Sequence, residues 1–245
     1  MKNQLRFFFL IILFFLVKCI IAQEEYSKIN VYFFPGQGSD KRIFSKIELP
    51  AKYEAEFISY PVPAKNQTLE EYAMIFVPLI DTTAPFVLIG HSLGGMICTE
   101  LTNTLAPLKT IIISSAKSSH EIPFRYRFQK VLPVYKLIPK KLIKTGAIVL
   151  QPIVETDRNK YKETFKAMLK TKDPLYLKRT IHMIINWKRK THLSGIVHIH
   201  GDNDHTLPIR NINYDYRVNN GSHMMILTRS KEINRILCEI LLKFE

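Results

Sequence analysis

The chain has 245 residues, 47% of them hydrophobic, and carries a formal net charge of +14. That length and apolar content support one sizeable core in one domain. The charge is confined to one region. Residues 116–190 hold 19 Lys and Arg against 5 Asp and Glu, and the rest of the chain holds 16 of each. With no recognition motif and the charge confined to one insert, nucleic-acid binding is poorly supported and no nucleic-acid partner is expected.

The first element is a leader. Lys2 and Arg6 precede eleven apolar residues, Phe7–Val17, and "KCIIAQ" follows. This is the pattern of a secretory signal peptide over 1–22, with Ala22 as the small residue before the cut. It implies export to the periplasm or the medium. An uncleaved membrane anchor is the alternative, although the run is short of the ~20 apolar residues that a spanning helix needs. The domain proper is then 23–245.

Ile29–Phe34 reads as a buried strand ending in the turn-rich "PGQGSD". A second strand is expected over Glu54–Tyr60. Thr68 is placed to cap a helix through "LEEYAMIFVPLI", with Glu71 as its capping-box partner. Phe86–Ile89 is a third strand and Leu93–Leu105 a helix. Thr110–Ser114, Ile196–His200 and Tyr214–Val218 complete the strands. Helical stretches are expected at "DRNKYKETFKAMLK" and after Asp173-Pro174, where Asp caps and Pro takes the first helical position. An amphipathic helix over Ser230–Lys243 closes the chain. This alternation, with near-continuous apolar strands, indicates an α/β class with a mostly parallel sheet covered by helices on both faces. The basic region, about 116–190, lies between the fourth and fifth strands as a helical insert.

One stretch carries chemistry. In "FVLIGHSLGG" a strand runs into Gly90-His91-Ser92-Leu93-Gly94 and turns directly into a helix. Glycines two residues to either side of Ser92 allow a turn too tight for side chains there. The turn presents the Ser92 hydroxyl at a helix N-terminus, where unpaired N–H groups suit a developing oxyanion. A serine needs a base, and the base an orienting acid. Asp204 in "HGDNDHTLP" and His223 in "NNGSHMMI" follow the fifth and sixth strands. Both therefore fall at the carboxyl edge of the sheet that also holds Ser92.

Together "GHSLGG", "HGDNDHTLP" and "GSHMMI" resemble the three catalytic segments of the α/β-hydrolase family, and "FFPGQGSD" resembles its oxyanion loop. The resemblance covers the chain from 23 onward, and the basic insert falls where that family places its lid. It implies a Ser92–Asp204–His223 triad and an oxyanion hole from the backbone N–H groups of Leu93 and Gln37, with Gly38 the other candidate for the second donor. It implies a small-molecule ester substrate and no cofactor. Pro35-Gly36 stands where the family often has His-Gly, and only 19 residues separate Asp204 from His223.

Other readings stay open at this point. Asp202 is the rival acid. His91 and His205 adjoin motif residues but are read as serving local hydrogen bonding or packing. His198, His200, Asp202, Asp204 and His205 crowd together in a pattern similar to binuclear metallohydrolases, but Asn203 stands where a histidine is required, and no metal is expected. Cys98 and Cys238 are read as small buried hydrophobes. The basic insert is either a solvated face or a field that attracts anionic, lipid-like substrates or a membrane surface. A non-catalytic binding protein, a thioesterase and an amidase remain alternatives to the ester hydrolase.

Overall fold

The computed structural model describes residues 28–139, 142–146, 161–191 and 193–243. The expected leader and the start of the helix expected over 157–170 lie outside those residues. Among the described residues six strands form one parallel sheet: β1 (Ile29–Phe34), β2 (Tyr53–Phe57), β3 (Phe86–His91), β4 (Lys109–Ile113), β5 (Ile196–Gly201) and β6 (Tyr216–Val218). Their spatial order is β2-β1-β3-β4-β5-β6. The chain moves outward from β1 in one direction, then returns past it to build the other half. That reversal opens a crevice between the carboxyl ends of β1 and β3.

Strand alternation divides the core in two. Tyr32 and Phe34 of β1, Leu88 of β3 and Ile112 of β4 pack on one face. Val31 and Phe33, Val87 and Ile89, and Ile111 and Ile113 pack on the other. Numbering only helices of six residues or more, the first face is covered by α1 (Leu69–Met74) and α2 (Leu93–Leu105). The second is covered by α5 (Ser230–Leu242), whose Ile233, Ile236, Leu237, Ile240 and Leu241 recur at helical spacing and are buried. Between β4 and β5 lie α3 (Lys162–Lys170) and α4 (Pro174–Asn186), preceded by short helical turns at Phe124–Arg127 and Val134–Leu137.

Local signals decide several boundaries. Thr68 and Glu71 form the expected reciprocal capping box at α1. Asp173 accepts from the Leu175 N–H, and Pro174 opens α4. Three expectations need correction. The helix after Thr68 stops at Met74, because Pro78 opens a separate 3-10 turn over Val77–Leu79. The second strand ends at Phe57, with one further ladder bond from the Ile58 N–H to the Phe33 carbonyl. The sixth strand begins only at Tyr216, since the Asp215 carboxylate accepts from the His198 N–H at 2.7 Å and takes a ladder position. Cys98 is buried and Cys238 half-buried, and both are free thiols. Among the described residues no helix is long and apolar enough to cross a membrane.

Candidate active site

Ser92 has φ 52° and ψ −119°, a region costly for any residue but glycine, and occupies the N-cap of α2 without capping it. The surroundings hold this conformation in place. A Cβ on Gly94 would lie 1.9 Å from the Phe34 carbonyl oxygen, and one on Gly90 2.4 Å from that of Gly94. β1, β3 and α2 therefore approach as closely as bare backbone allows. The Ser92 N–H donates to the Ile113 carbonyl at 3.0 Å, and the Ser115 hydroxyl donates to the Ser92 carbonyl at 2.6 Å.

The loops after β5 and β6 meet through a second glycine contact. A Cβ on Gly201 would lie 2.1 Å from the Gly221 carbonyl oxygen, and the Asn203 N–H donates to that same carbonyl at 3.0 Å. This contact brings the acid loop against the histidine loop. His223 Nδ1 lies 2.8 Å from Asp204 Oδ2, and His223 Nε2 lies 2.9 Å from Ser92 Oγ. The other Asp204 oxygen accepts from the Thr206 and Leu207 N–H groups, each at 2.8 Å. Burial pushes the Asp204 carboxyl upward; the facing His223 and these hydrogen bonds outweigh it and hold the group below its ordinary value. It is an anion near neutral pH, and Nδ1 of His223 must carry the proton between them. Nε2 is then free to accept from the serine. Asp202 is turned away, its carboxylate 2.7 Å from the Arg217 guanidinium.

Loop 35–39 is held at the same edge. Tyr60 donates to the Pro35 carbonyl at 2.8 Å, and the Gly36 N–H donates to the Ser39 hydroxyl at 2.9 Å. The Gln37 side chain donates to the Leu177 carbonyl and to the Thr180 hydroxyl of α4, at 3.0 and 2.7 Å. Among the described residues neither the Gln37 nor the Leu93 backbone N–H has a protein acceptor. Both Gln37 and Ser92 line a cavity of about 520 Å³, which His223 also reaches. Its walls are mainly apolar: Met96, Ile122, Tyr126, Ile143, Leu177 and Ile181 contribute, several of them from the segment between β4 and β5.

Two further contacts that the sequence did not show hold that segment. Glu100 of α2, almost wholly buried, accepts from the Trp187 indole at 2.8 Å and from Arg189 at 2.7 Å. Arg125 donates to the His205 and Thr206 carbonyls at 2.6 and 2.8 Å. The second contact grips the acid loop itself.

Two buried histidines pack beside the motif residues. His91 is buried beneath the site and donates from Nε2 to the His223 carbonyl at 2.9 Å. Burial, reinforced by the neighbouring His223, depresses its pKa from 6.5 to about 3. A depressed histidine is protonated in the unfolded chain first. Its contribution to stability is therefore complete above pH 6.5 and is lost as pH falls from 6.5 toward 3. His91→Gln should flatten the fall of the urea midpoint across that window, by an amount of order a few kcal/mol. An unchanged slope would show that other groups drive acid unfolding.

His200 is also buried and shifted downward by that burial. It lies 2.8 Å from the Leu207 carbonyl through Nε2, 3.1 Å from His198 through Nδ1, and 3.6 Å from Asp204. It thus clamps the turn whose N–H groups hold Asp204. His200→Leu is expected to lower kcat about ten- to a hundredfold with KM nearly unchanged, because the acid loosens while the cavity does not. A kcat equal to that of the parent in a folded variant would exclude that positioning role. Among the described residues no group of three or more His, Cys, Asp or Glu could hold a metal ion.

The sequence matches no protein-family model and no curated relative. Solved structures resemble the chain in fold. An esterase from Thermogutta terrifontis superposes with a TM-score of 0.66 at 12% identity, covering 89% of this chain and 90% of that one. An enol-lactonase from Burkholderia xenovorans gives 0.68 at 13% identity, covering 88% and 92%. An N-acyl homoserine lactone degrading enzyme gives 0.65 at 18% identity, covering 85% and 92%.

Proposed function

We propose that this chain, which has the α/β-hydrolase fold, is a serine hydrolase that cleaves carboxylic esters through an acyl-enzyme. The observation that carries this reading is His223, which bridges Ser92 Oγ at 2.9 Å and Asp204 Oδ2 at 2.8 Å at the floor of a largely apolar cavity. His223 Nε2 takes the hydroxyl proton as Ser92 Oγ attacks the ester carbonyl carbon. The carbonyl oxygen becomes an oxyanion, held by the backbone N–H groups of Leu93 and Gln37. Asp204 stabilises the imidazolium. The tetrahedral intermediate collapses, the C–O bond to the alcohol breaks, and the alcohol leaves with the proton from His223. Water then loses a proton to His223 and attacks the acyl carbon. Collapse of the second intermediate releases the acid and restores Ser92.

No cofactor enters these steps. The apolar walls suit an aliphatic or aromatic acyl group. Lactones, the substrates named for two of the structural neighbours, would open by the same steps with the alcohol kept on the product. The experiment is stopped-flow hydrolysis of p-nitrophenyl esters of graded chain length. A burst of p-nitrophenol matching the enzyme concentration supports the acyl-enzyme. Absence of turnover on every ester, thioester and lactone tried would favour a binding protein on this fold. The leader over 1–22 is read as directing export, and N-terminal sequencing of the mature protein tests it: a chain beginning at Gln23 agrees, and one beginning at Met1 points to the anchor.

A further inference from the structure

We propose that the described surface of the segment between β4 and β5, Phe124–Pro139 together with Leu142, docks on an anionic lipid surface. The apolar side chains here are unusually exposed: Val131 is 81% accessible, Leu137 82% and Phe124 70%. Phe128, Leu132, Val134 and Leu142 are each about half exposed beside them. Scattered apolar residues on a surface need no explanation, but a run of seven within one short segment marks a contact site.

Charge selects the partner. Residues 122–144 contain seven Lys and Arg and no Asp or Glu. Arg125, Lys130 and Lys144 donate to backbone carbonyls of His205 and Thr206, of Trp187 and of Lys170. A carbonyl satisfies the hydrogen bond without cancelling the charge. Among the described residues none of Arg125, Arg127, Lys130, Lys136 and Lys144 pairs with a carboxylate. A second copy of the chain would bring the same positive face against this one and be repelled. Aliphatic side chains that project into solvent beside uncompensated cations match an interface whose headgroups are anionic and whose interior accepts alkyl groups.

The face is continuous with the cavity. Tyr126, Gln129, Tyr135, Ile138 and Leu142 come from the same segment and line the space above Ser92. A docked molecule would therefore open its cavity wall toward the lipid. This consequence rests on the hydrolase reading and names its substrate class: amphiphilic esters drawn from the interface. The docking itself does not rest on that reading.

The test uses the full chain with vesicles of phosphatidylcholine alone and of phosphatidylcholine with phosphatidylglycerol. Two double variants accompany it: Val131→Ser with Leu137→Ser, and Arg127→Gln with Lys136→Gln. None of these four side chains lines the cavity. Co-sedimentation with the anionic vesicles should weaken at least tenfold in each variant, and hydrolysis of a soluble short-chain ester should stay at the parent level. Because Phe7–Val17 offers a second apolar segment in the full chain, hydrogen exchange is read in parallel. Protection should appear over 124–138 on the anionic vesicles and diminish in the variants. Equal binding of parent and variants, or protection that leaves 124–138 untouched, overturns the proposal. So does protection of 124–138 that depends on protein concentration and not on lipid, which would identify a second copy as the occupant. Loss of ester hydrolysis in the parent with lipid binding intact would instead count against the catalytic reading alone.

Discussion

Ser92→Ala should lower kcat for a p-nitrophenyl ester by about a hundred-thousandfold while leaving KM within a few fold. In the proposed mechanism the hydroxyl is the atom that attacks, and Ser92 Oγ is the group that His223 Nε2 meets, at 2.9 Å. The cavity walls are untouched by the substitution. His223→Ala should cost nearly as much, since an unassisted serine hydroxyl is a weak nucleophile. The double variant should be no slower than either single one, because groups that act as a unit fail together. Steady-state kinetics with a burst assay checks all three. Independent, multiplicative losses would mean that Ser92 and His223 do not share one proton-transfer step.

Gly94→Ala should have the largest effect on stability. The added Cβ would fall 1.9 Å from the Phe34 carbonyl oxygen and 2.7 Å from that of Pro35, and both are backbone atoms that cannot rotate away. Either α2 or the end of β1 must move, at a cost of roughly 4 kcal/mol or more, enough to unfold many domains outright. If a folded fraction survives, the displaced β1 end carries Gln37 with it, and activity falls further than the folded fraction alone explains. Gly146→Ala is the control, since among the described residues no atom beyond its own helix backbone and chain neighbours lies within 4 Å of its added Cβ. It should change stability by about 0.5 kcal/mol or less. Urea unfolding of both variants decides the matter. A Gly94→Ala midpoint equal to that of the parent would mean that the close approach of β1 to α2 is not required.

What was legible in the sequence is what short-range chemistry dictates. The Gly-x-Ser-x-Gly spacing announced the turn at Ser92, because both glycines act within two residues of it. Thr68 with Glu71, and Asp173 with Pro174, announced helix starts for the same reason. The apolar runs of β3 and β4 read as strands because a parallel sheet buried on both faces leaves no polar alternation. The errors arose where a distant or interrupting group took over. Pro78 divided a helix that apolar spacing alone would continue. Asp215 substituted its side chain for a ladder bond and shortened β6. Asp204 was the acid that the motif spacing favoured over Asp202; that Arg217 faces Asp202 from the neighbouring strand was not visible in the sequence. The Gln37 clamp on Thr180 joins residues 143 apart, and no local pattern foretells it. The two anchors of the insert, Glu100 with Arg189 and Arg125 with the 205–206 carbonyls, are equally remote in sequence. The insert's exposed apolar face was only half legible. Composition showed the charge, but the accessibility of Val131 and Leu137 follows from how the segment folds over the cavity.

The measurement that bears most directly on the account is covalent labelling by a fluorophosphonate, followed by peptide mapping. The parent should take up one label per chain, on Ser92. Ser92→Ala should take up none, and His223→Ala should label slower by several orders of magnitude. Labelling of the parent at another residue, or a His223→Ala rate equal to that of the parent, would contradict an Asp204–His223 pair activating Ser92.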